Sequence, residues 1–156
     1  MVTERVIEDT VLKGTETILL VDDENIVLEV SKEMLEFLGY RIYVARSGQE
    51  AIAVYREKRN DIDLVFLDMI MPGISGEEIF DRLREINSEI LVLLSSGYSI
   101  NGQAQQIMDR GCNGFLQKPF QLQKLARKVR EMLDGRRRAI TDGNRHFNSI
   151  LKVIAS

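Results

Sequence analysis

Polar residues that could carry out chemistry follow four short apolar segments of the chain. They are Asp22 and Asp23 after residues 18–21, Asp68 after 64–67, Ser95 and Ser96 after 90–94, and Lys118 after 115–116. Three carboxylates brought close together repel one another, and a hard divalent cation with oxygen ligands, such as Mg²⁺, would stabilise them. A lysine and a hydroxyl beside them suit a phosphoryl group, and one carboxylate could then act as the nucleophile.

The elements that must position these residues are predicted from the apolar pattern. The apolar segments are short and continuous, as in strands that are buried on both faces of a parallel sheet. We predict strands at 18–21, 41–45, 64–67, 90–94 and 115–116, each followed by a helix. This alternation is typical of a doubly wound α/β fold. Since the carboxyl ends of parallel strands share one edge, the polar residues should converge there.

The predicted helices show apolar residues at helical spacing and recognisable ends. The first carries a stripe of Ile26, Val30, Met34 and Leu38, and Ser47 with Glu50 caps the second. The third buries residues 79, 83 and 86, and the fourth, at about 102–110, has few residues to bury. The fifth carries residues 122, 125, 129 and 133 inward and is expected to stop near Gly135.

Composition and charge narrow the class of protein. The 156 residues, 44% of them hydrophobic and 29% charged, predict one globular domain. A net charge of -3 argues against non-specific binding to nucleic acid, and the single cysteine, Cys112, excludes an internal disulfide. No signal peptide or membrane-length apolar stretch is present, so we expect a soluble, cytoplasmic domain.

Three regions are predicted along the chain: a polar leader or linker at 1–16, a globular domain at 17–134 and a tail at 135–156. The tail begins with the basic run Arg136–Arg138 and ends with an apolar cluster at 150–154. Two interpretations of the tail stay open. It is either a solvated, frayed terminus or a short amphipathic helix that packs on the domain or on a second copy.

Four motifs together resemble the receiver domain of response regulators. They are Val21-Asp22-Asp23-Glu24, the segment from Leu67-Asp68-Met69 through Met71-Pro72-Gly73 to Gly76, Ser96-Gly97, and Lys118-Pro119-Phe120. The resemblance covers about residues 17–134. It implies a flavodoxin-like (βα)5 sheet with the strand order 2-1-3-4-5. Residues 13–17 and 94–98 further resemble receivers attached to hybrid sensor histidine kinases.

The resemblance also assigns roles to the polar residues. Asp68 would accept phosphate from a histidine kinase, while Lys118 would pair with the phosphoryl oxygens. Asp22, Asp23 and Asp68 would hold Mg²⁺ together with the main-chain carbonyl of Ile70. Transfer of a phosphoryl group depends on alignment and charge neutralisation, which this set of residues would supply.

A switch is implied by the same resemblance. Ser96 would hydrogen-bond a phosphoryl oxygen, although the neighbouring Ser95 competes for this role. Phe115 occupies the family's aromatic switch position, and the bond between Lys118 and Pro119 is expected to be cis. Phosphorylation would then reshape the face formed by helix 4, strand 5 and helix 5.

Partners follow from this interpretation. The phosphodonor would be a histidine kinase or histidine phosphotransfer domain, because the only histidine, His146, lies in the tail away from every motif. The output would be a protein target or phosphorelay partner, with a homodimer as an option and with no nucleic acid or membrane. The domain would catalyse only its own phosphorylation and dephosphorylation, so it would not be an enzyme in the usual sense.

Two other function classes fit the sequence less well. Phosphohydrolases that form an aspartyl phosphate carry a second Asp two residues after the nucleophile, where this chain has Ile70. They also need a cap domain. A transcription factor would need a helix-turn-helix module, and the residues after Arg136 in this sequence are too few to form one. We therefore expect the output to be a protein–protein contact or to lie elsewhere in a larger chain.

Overall fold

The fold is a five-stranded parallel sheet, described by a computed structural model for residues 12–97 and 102–136. The strands are Thr17–Val21 (β1), Arg41–Ala45 (β2), Leu64–Asp68 (β3), Val92–Ser96 (β4) and Gly114–Gln117 (β5). Their order is β2-β1-β3-β4-β5, and every adjacent pair is parallel. The flavodoxin-like fold and the 2-1-3-4-5 order are therefore confirmed.

Helices cover both faces of the sheet. They are Asn25–Phe37 (α1), Gly48–Lys58 (α2), Gly76–Ile86 (α3), Gly102–Asp109 (α4) and helical residues 122–136 (α5). Alternate residues of each strand point to opposite faces, so the core has two parts. Leu19 and Val21 of β1 pack in the cluster that α2, α3 and α4 cover, whereas Ile18 and Leu20 pack in the cluster under α1 and α5.

The first two residues of the predicted apolar stripe of α1 do not face the core. Ile26 is 79% exposed and Val30 is 46% exposed, while the helix buries Leu28, Ser31 and Leu35. The cause is that α1 carries apolar residues on two sides, and four-residue spacing alone does not identify the side that meets the sheet. The buried side includes a serine, which an apolar pattern does not detect.

The predicted range of β4 also differs from the structure. β4 runs from Val92 to Ser96 rather than from residue 90 to 94, so Ser95 and Ser96 lie inside the strand. Both serines are buried, and polar residues of this kind do not extend an apolar segment. The last helix is described as far as residue 136, one residue beyond Gly135, near which its end is predicted. Tyr98, His146 and the tail from residue 137 onward lie outside the described residues.

The end of the predicted leader packs on the domain. The Gly14 N–H donates to the Leu38 carbonyl at 3.0 Å, and Glu16 accepts hydrogen bonds from Arg130 of α5. A side chain at residue 14 would clash with the Tyr40 ring, because an added Cβ would lie 2.3 Å from it. The boundary between leader and domain at residue 16 stays a prediction.

No helix within residues 12–97 and 102–136 is both long enough and apolar enough to cross a membrane.

Candidate functional site

The candidate site lies at the edge of the sheet where the parallel strands end. Asp68 is the last residue of β3, Asp22 follows β1 directly, and Lys118 follows β5. Backbone hydrogen bonds hold the loops beyond the strands: Asp22 N–H donates to the Ala45 carbonyl at 3.1 Å, and Lys118 N–H donates to the Ser96 carbonyl at 2.7 Å. The chain therefore leaves each strand in a fixed direction, which places these side chains over the same edge.

Three carboxylates meet there. Asp22, Asp23 and Asp68 each offer an oxygen, and the three oxygens lie within 4.8 Å of one another. Asp22 and Asp68 are buried, with 3% and 5% of their surfaces exposed, so water does little to screen their repulsion. Carboxylate oxygens grouped in this way fit a hard divalent cation such as Mg²⁺.

Lys118 supplies the positive charge at this edge. Its Nζ lies 2.8 Å from Oδ2 of Asp22 and 3.3 Å from Oδ1 of Asp68. Burial lowers the pKa of Lys118, but hydrogen bonds and attraction from the two carboxylates outweigh that effect, so its pKa lies above the usual value. The expected cis bond between Lys118 and Pro119 is present.

The surroundings of Asp68 disfavour the ionised form of its carboxyl group. Burial raises its pKa to about 6, and the charge of Asp22 raises it as well. Lys118 and a hydrogen bond from the Ile70 N–H lower it, without cancelling the effect of burial. The ionised form of Asp68 therefore needs more positive charge than Lys118 provides. That need is what a bound divalent cation would meet.

The two serines of β4 occupy different positions relative to Asp68. Ser95 is the register partner of Asp68 on the neighbouring strand, and its Oγ is buried with no hydrogen-bond partner among the described residues. Ser96 pairs with Gln117 and is fully buried. Strand alternation places the two side chains on opposite faces. Which hydroxyl serves a phosphoryl group stays a prediction, in favour of Ser96.

Two further predicted residues take clear positions. Phe115 is partly buried, pairs in register with Leu94 and packs against the core under α2, α3 and α4. Ile70 is 50% exposed beside the site. The carbonyl of Ile70 as a metal ligand, and Phe115 as a switch, stay predictions.

One feature of the site was not predicted from the sequence. A groove of about 440 Å³ adjoins Lys118, and its walls are α1 and the segment Lys118–Phe120. Ile26 and Val30, the first two residues of the predicted stripe, line it. The signal was present in the sequence as a second apolar side of α1, but spacing alone did not show which side stays exposed.

Comparison with known proteins shows which family the chain resembles. Residues 18–130 match the family model described as the response regulator receiver domain. The chain is 35% identical over 131 residues, 84% of its length, to the sensor kinase CckA of Brucella abortus. This chain spans 14% of the length of that kinase. It spans between 14% and 53% of the lengths of the curated relatives it matches.

Solved structures give the same result. A receiver domain protein from Clostridium thermocellum superposes with a TM-score of 0.75 at 30% identity, over 78% of this chain and 97% of that one. The receiver domain of the hybrid histidine kinase CckA superposes with a TM-score of 0.64 at 32% identity, over 75% of this chain and 98% of that one.

Proposed function

Since this chain belongs to the response regulator receiver domain family, we propose that Asp68 accepts a phosphoryl group from a phosphohistidine of a histidine kinase or histidine phosphotransfer domain. The P–N bond to the imidazole breaks and a P–O bond to the Asp68 carboxylate forms. The imidazole nitrogen leaves with the electron pair and takes up a proton. Receiver domains are generally signalling modules rather than enzymes, and the acyl phosphate would be the signal.

The observation that carries this proposal is the position of Lys118 between two buried carboxylates. A lysine that bridges Asp22 and Asp68 would be available to a phosphoryl oxygen once Asp68 is modified, because the charge it now neutralises moves outward with the phosphoryl group. Asp22, Asp23, Asp68 and the Ile70 carbonyl would hold Mg²⁺, which neutralises phosphoryl oxygens when bound.

The signal would leave the site through β4 and β5. The Lys118 N–H donates a hydrogen bond to the Ser96 carbonyl, so a movement of either segment would displace the other. If the Ser96 hydroxyl turns toward the phosphoryl group, Phe115 would adjust beside it and the face of α4, β5 and α5 would change. This is a two-state equilibrium biased by one local charge, and its output would be a contact with a protein target or a phosphorelay partner.

The test is the intact mass of the protein after incubation with Mg²⁺ and acetyl phosphate. The wild type should gain one phosphoryl group that base removes, and Asp68→Asn should gain none. Asp61→Asn is the matched control, because it makes the same change on an exposed residue before β3. An adduct on Asp68→Asn would refute the proposal.

A further inference from the structure

Another cavity, of about 720 Å³, opens at the edge of the sheet where β4 and β5 begin. Leu91 lies directly before β4, Asn113 lies directly before β5, and α5 forms the facing wall through residues such as Lys128. The cavity is therefore at the opposite end of these strands from Asp68 and Lys118. Its volume is within the range of about 300–1,000 Å³ that is typical of sites for small molecules.

Three half-buried basic residues line this cavity. They are Arg84 in the last turn of α3, Lys128 of α5 and Arg136, the last residue that the structure describes. Arg84 and Arg136 donate to backbone carbonyls, but within the described ranges none of the three forms an ion pair with a carboxylate. The half-buried Lys118 and Arg130, by contrast, each pair with two. Cations withdrawn from water without a counter-charge favour the uptake of an anion.

Two glycines make room for these cations at the cavity wall. A Cβ at Gly111, where φ is +106°, would lie 2.8 Å from Nη1 of Arg84. A Cβ at Gly114 would lie 3.0 Å from Cε of Lys128 and 3.0 Å from Sδ of Met132. The guanidinium and the lysine stem therefore lie close against the backbone at the starts of the two segments. Packing against the backbone, rather than pairing with an acid, holds the two charges at the cavity.

The acidic residues of the cavity differ from the basic ones in their exposure. Glu89 and Glu131 also line it, but both are exposed to solvent, whereas the three cations are half-buried. Water screens an exposed carboxylate more effectively than a half-buried cation. The less exposed part of the cavity is therefore positive, although the chain as a whole carries a net charge of -3.

Apolar side chains form the rest of the cavity wall. Ile90, Leu91 and Met132 belong to the core, yet 7%, 8% and 8% of their surfaces stay exposed, and all three line the cavity. An inorganic anion would leave most of about 720 Å³ unfilled and these side chains in contact with water. A ligand that fits therefore combines negative charge with an apolar or planar part.

We propose that this cavity binds a small phosphorylated organic molecule of about the size of a nucleotide. Its phosphate groups would contact Arg84, Lys128 and Arg136, and its planar part would cover the apolar wall at Met132. Guanidinium groups form paired hydrogen bonds with phosphate, and an ammonium adds a point charge. Because the cavity and Asp68 lie at opposite edges of the sheet, the inference is independent of the proposed function, and both sites can be occupied at once.

The test is isothermal titration calorimetry of the full chain with ADP, in EDTA so that no metal bridges the nucleotide to the carboxylates. The wild type should bind ADP with an affinity that falls as the ionic strength rises. Lys128→Gln and Arg84→Gln should each weaken binding about tenfold, the loss expected for one hydrogen bond to a charged group. Lys124→Gln removes the same charge from an exposed position on α5 and should change the affinity less than about twofold. Thermal denaturation checks that each variant is folded.

Further titrations locate the ligand and define its class. Asp68→Asn should bind ADP as the wild type does, and a loss in that variant would overturn the proposal by placing ADP at the carboxylates. No binding by the wild type, or equal affinities for wild type, Lys128→Gln and Arg84→Gln, would also refute it. Pyrophosphate should bind more weakly than ADP, since it cannot cover the apolar wall. Equal binding of pyrophosphate, or tighter binding of a hexaglutamate peptide, would overturn the ligand class in favour of inorganic anions or of an acidic protein partner.

Discussion

At both edges of the sheet a basic side chain pairs with acidic ones among the described residues, but the two groups are balanced differently. At the edge where the strands end, Lys118 faces Asp22 and Asp68, with Asp23 nearby. At the opposite edge, Arg130 donates to both oxygens of Glu16 at 3.0 and 2.7 Å and to Asp134 at 2.8 Å. Hydrogen bonds from Arg130 lower the pKa of Glu16 to about 2, whereas burial raises that of Asp68 to about 6.

The difference comes from the cations as well as the acids. A guanidinium presents a planar fork that can satisfy two carboxylates at once, while an ammonium is a point charge shared among its neighbours. The Glu16–Arg130–Asp134 group is complete as it stands and serves structure. The Asp22–Asp23–Asp68–Lys118 group lacks positive charge, and that deficit is typical of a site that binds a cation and reacts.

The largest expected loss of stability comes from removing the cation of the Glu16–Arg130–Asp134 group. Arg130→Met should lower the free energy of unfolding by about 3–5 kcal/mol, because it leaves the largely buried Glu16 carboxylate without its partner. Urea denaturation measures this directly. Arg127→Met, an exposed change on the same helix, should stay within about 0.5 kcal/mol of wild type. Equal losses for the two variants would mean that the network does not hold α5.

A smaller effect is expected from pH. Because the folded pKa of Glu16 is about 2, below the usual 4.5, its pairing contributes stability above pH 4.5 that is lost as the pH falls from 4.5 toward 2. We expect about 1–3 kcal/mol from this group. Denaturation of wild type and Glu16→Gln across that range should show curves that converge as the pH falls. Parallel curves would contradict the assignment.

The two serines of β4 can be used to test which hydroxyl acts at the edge that contains Asp68. Ser96→Ala should slow phosphorylation by acetyl phosphate about tenfold, the loss expected for one hydrogen bond to a charged group. Ser95→Ala should leave the rate unchanged and cost no stability, because the buried Ser95 Oγ has no hydrogen-bond partner to lose. The rate of adduct formation, followed by intact mass, distinguishes the two serines. A slower rate for Ser95→Ala with an unchanged rate for Ser96→Ala would assign the hydroxyl role to Ser95.

Residue types and spacing predicted the sheet and the convergence of acids and lysine. Strands that end at Asp22, Asp68 and Lys118 share one edge whatever their detailed packing, so this prediction needed no tertiary information. The pairing of Glu16 with Arg130 could not be predicted, because 114 residues separate them and no periodicity links them. The buried side of α1 was missed for a related reason. It depends on the position of the sheet, and it includes the polar residue Ser31, which an apolar pattern does not detect.

The charge deficit at the reactive edge is tested most directly by the stability of wild type and Asp68→Asn at pH 8, with EDTA and with Mg²⁺. The raised pKa of Asp68 means that its ionised form destabilises the fold, increasingly so as the pH rises through about 6. In EDTA, Asp68→Asn should be more stable than wild type by about 1–3 kcal/mol. Mg²⁺ should stabilise the wild type and have little effect on the variant. A variant less stable than wild type in EDTA, or an equal response to Mg²⁺, would contradict the account.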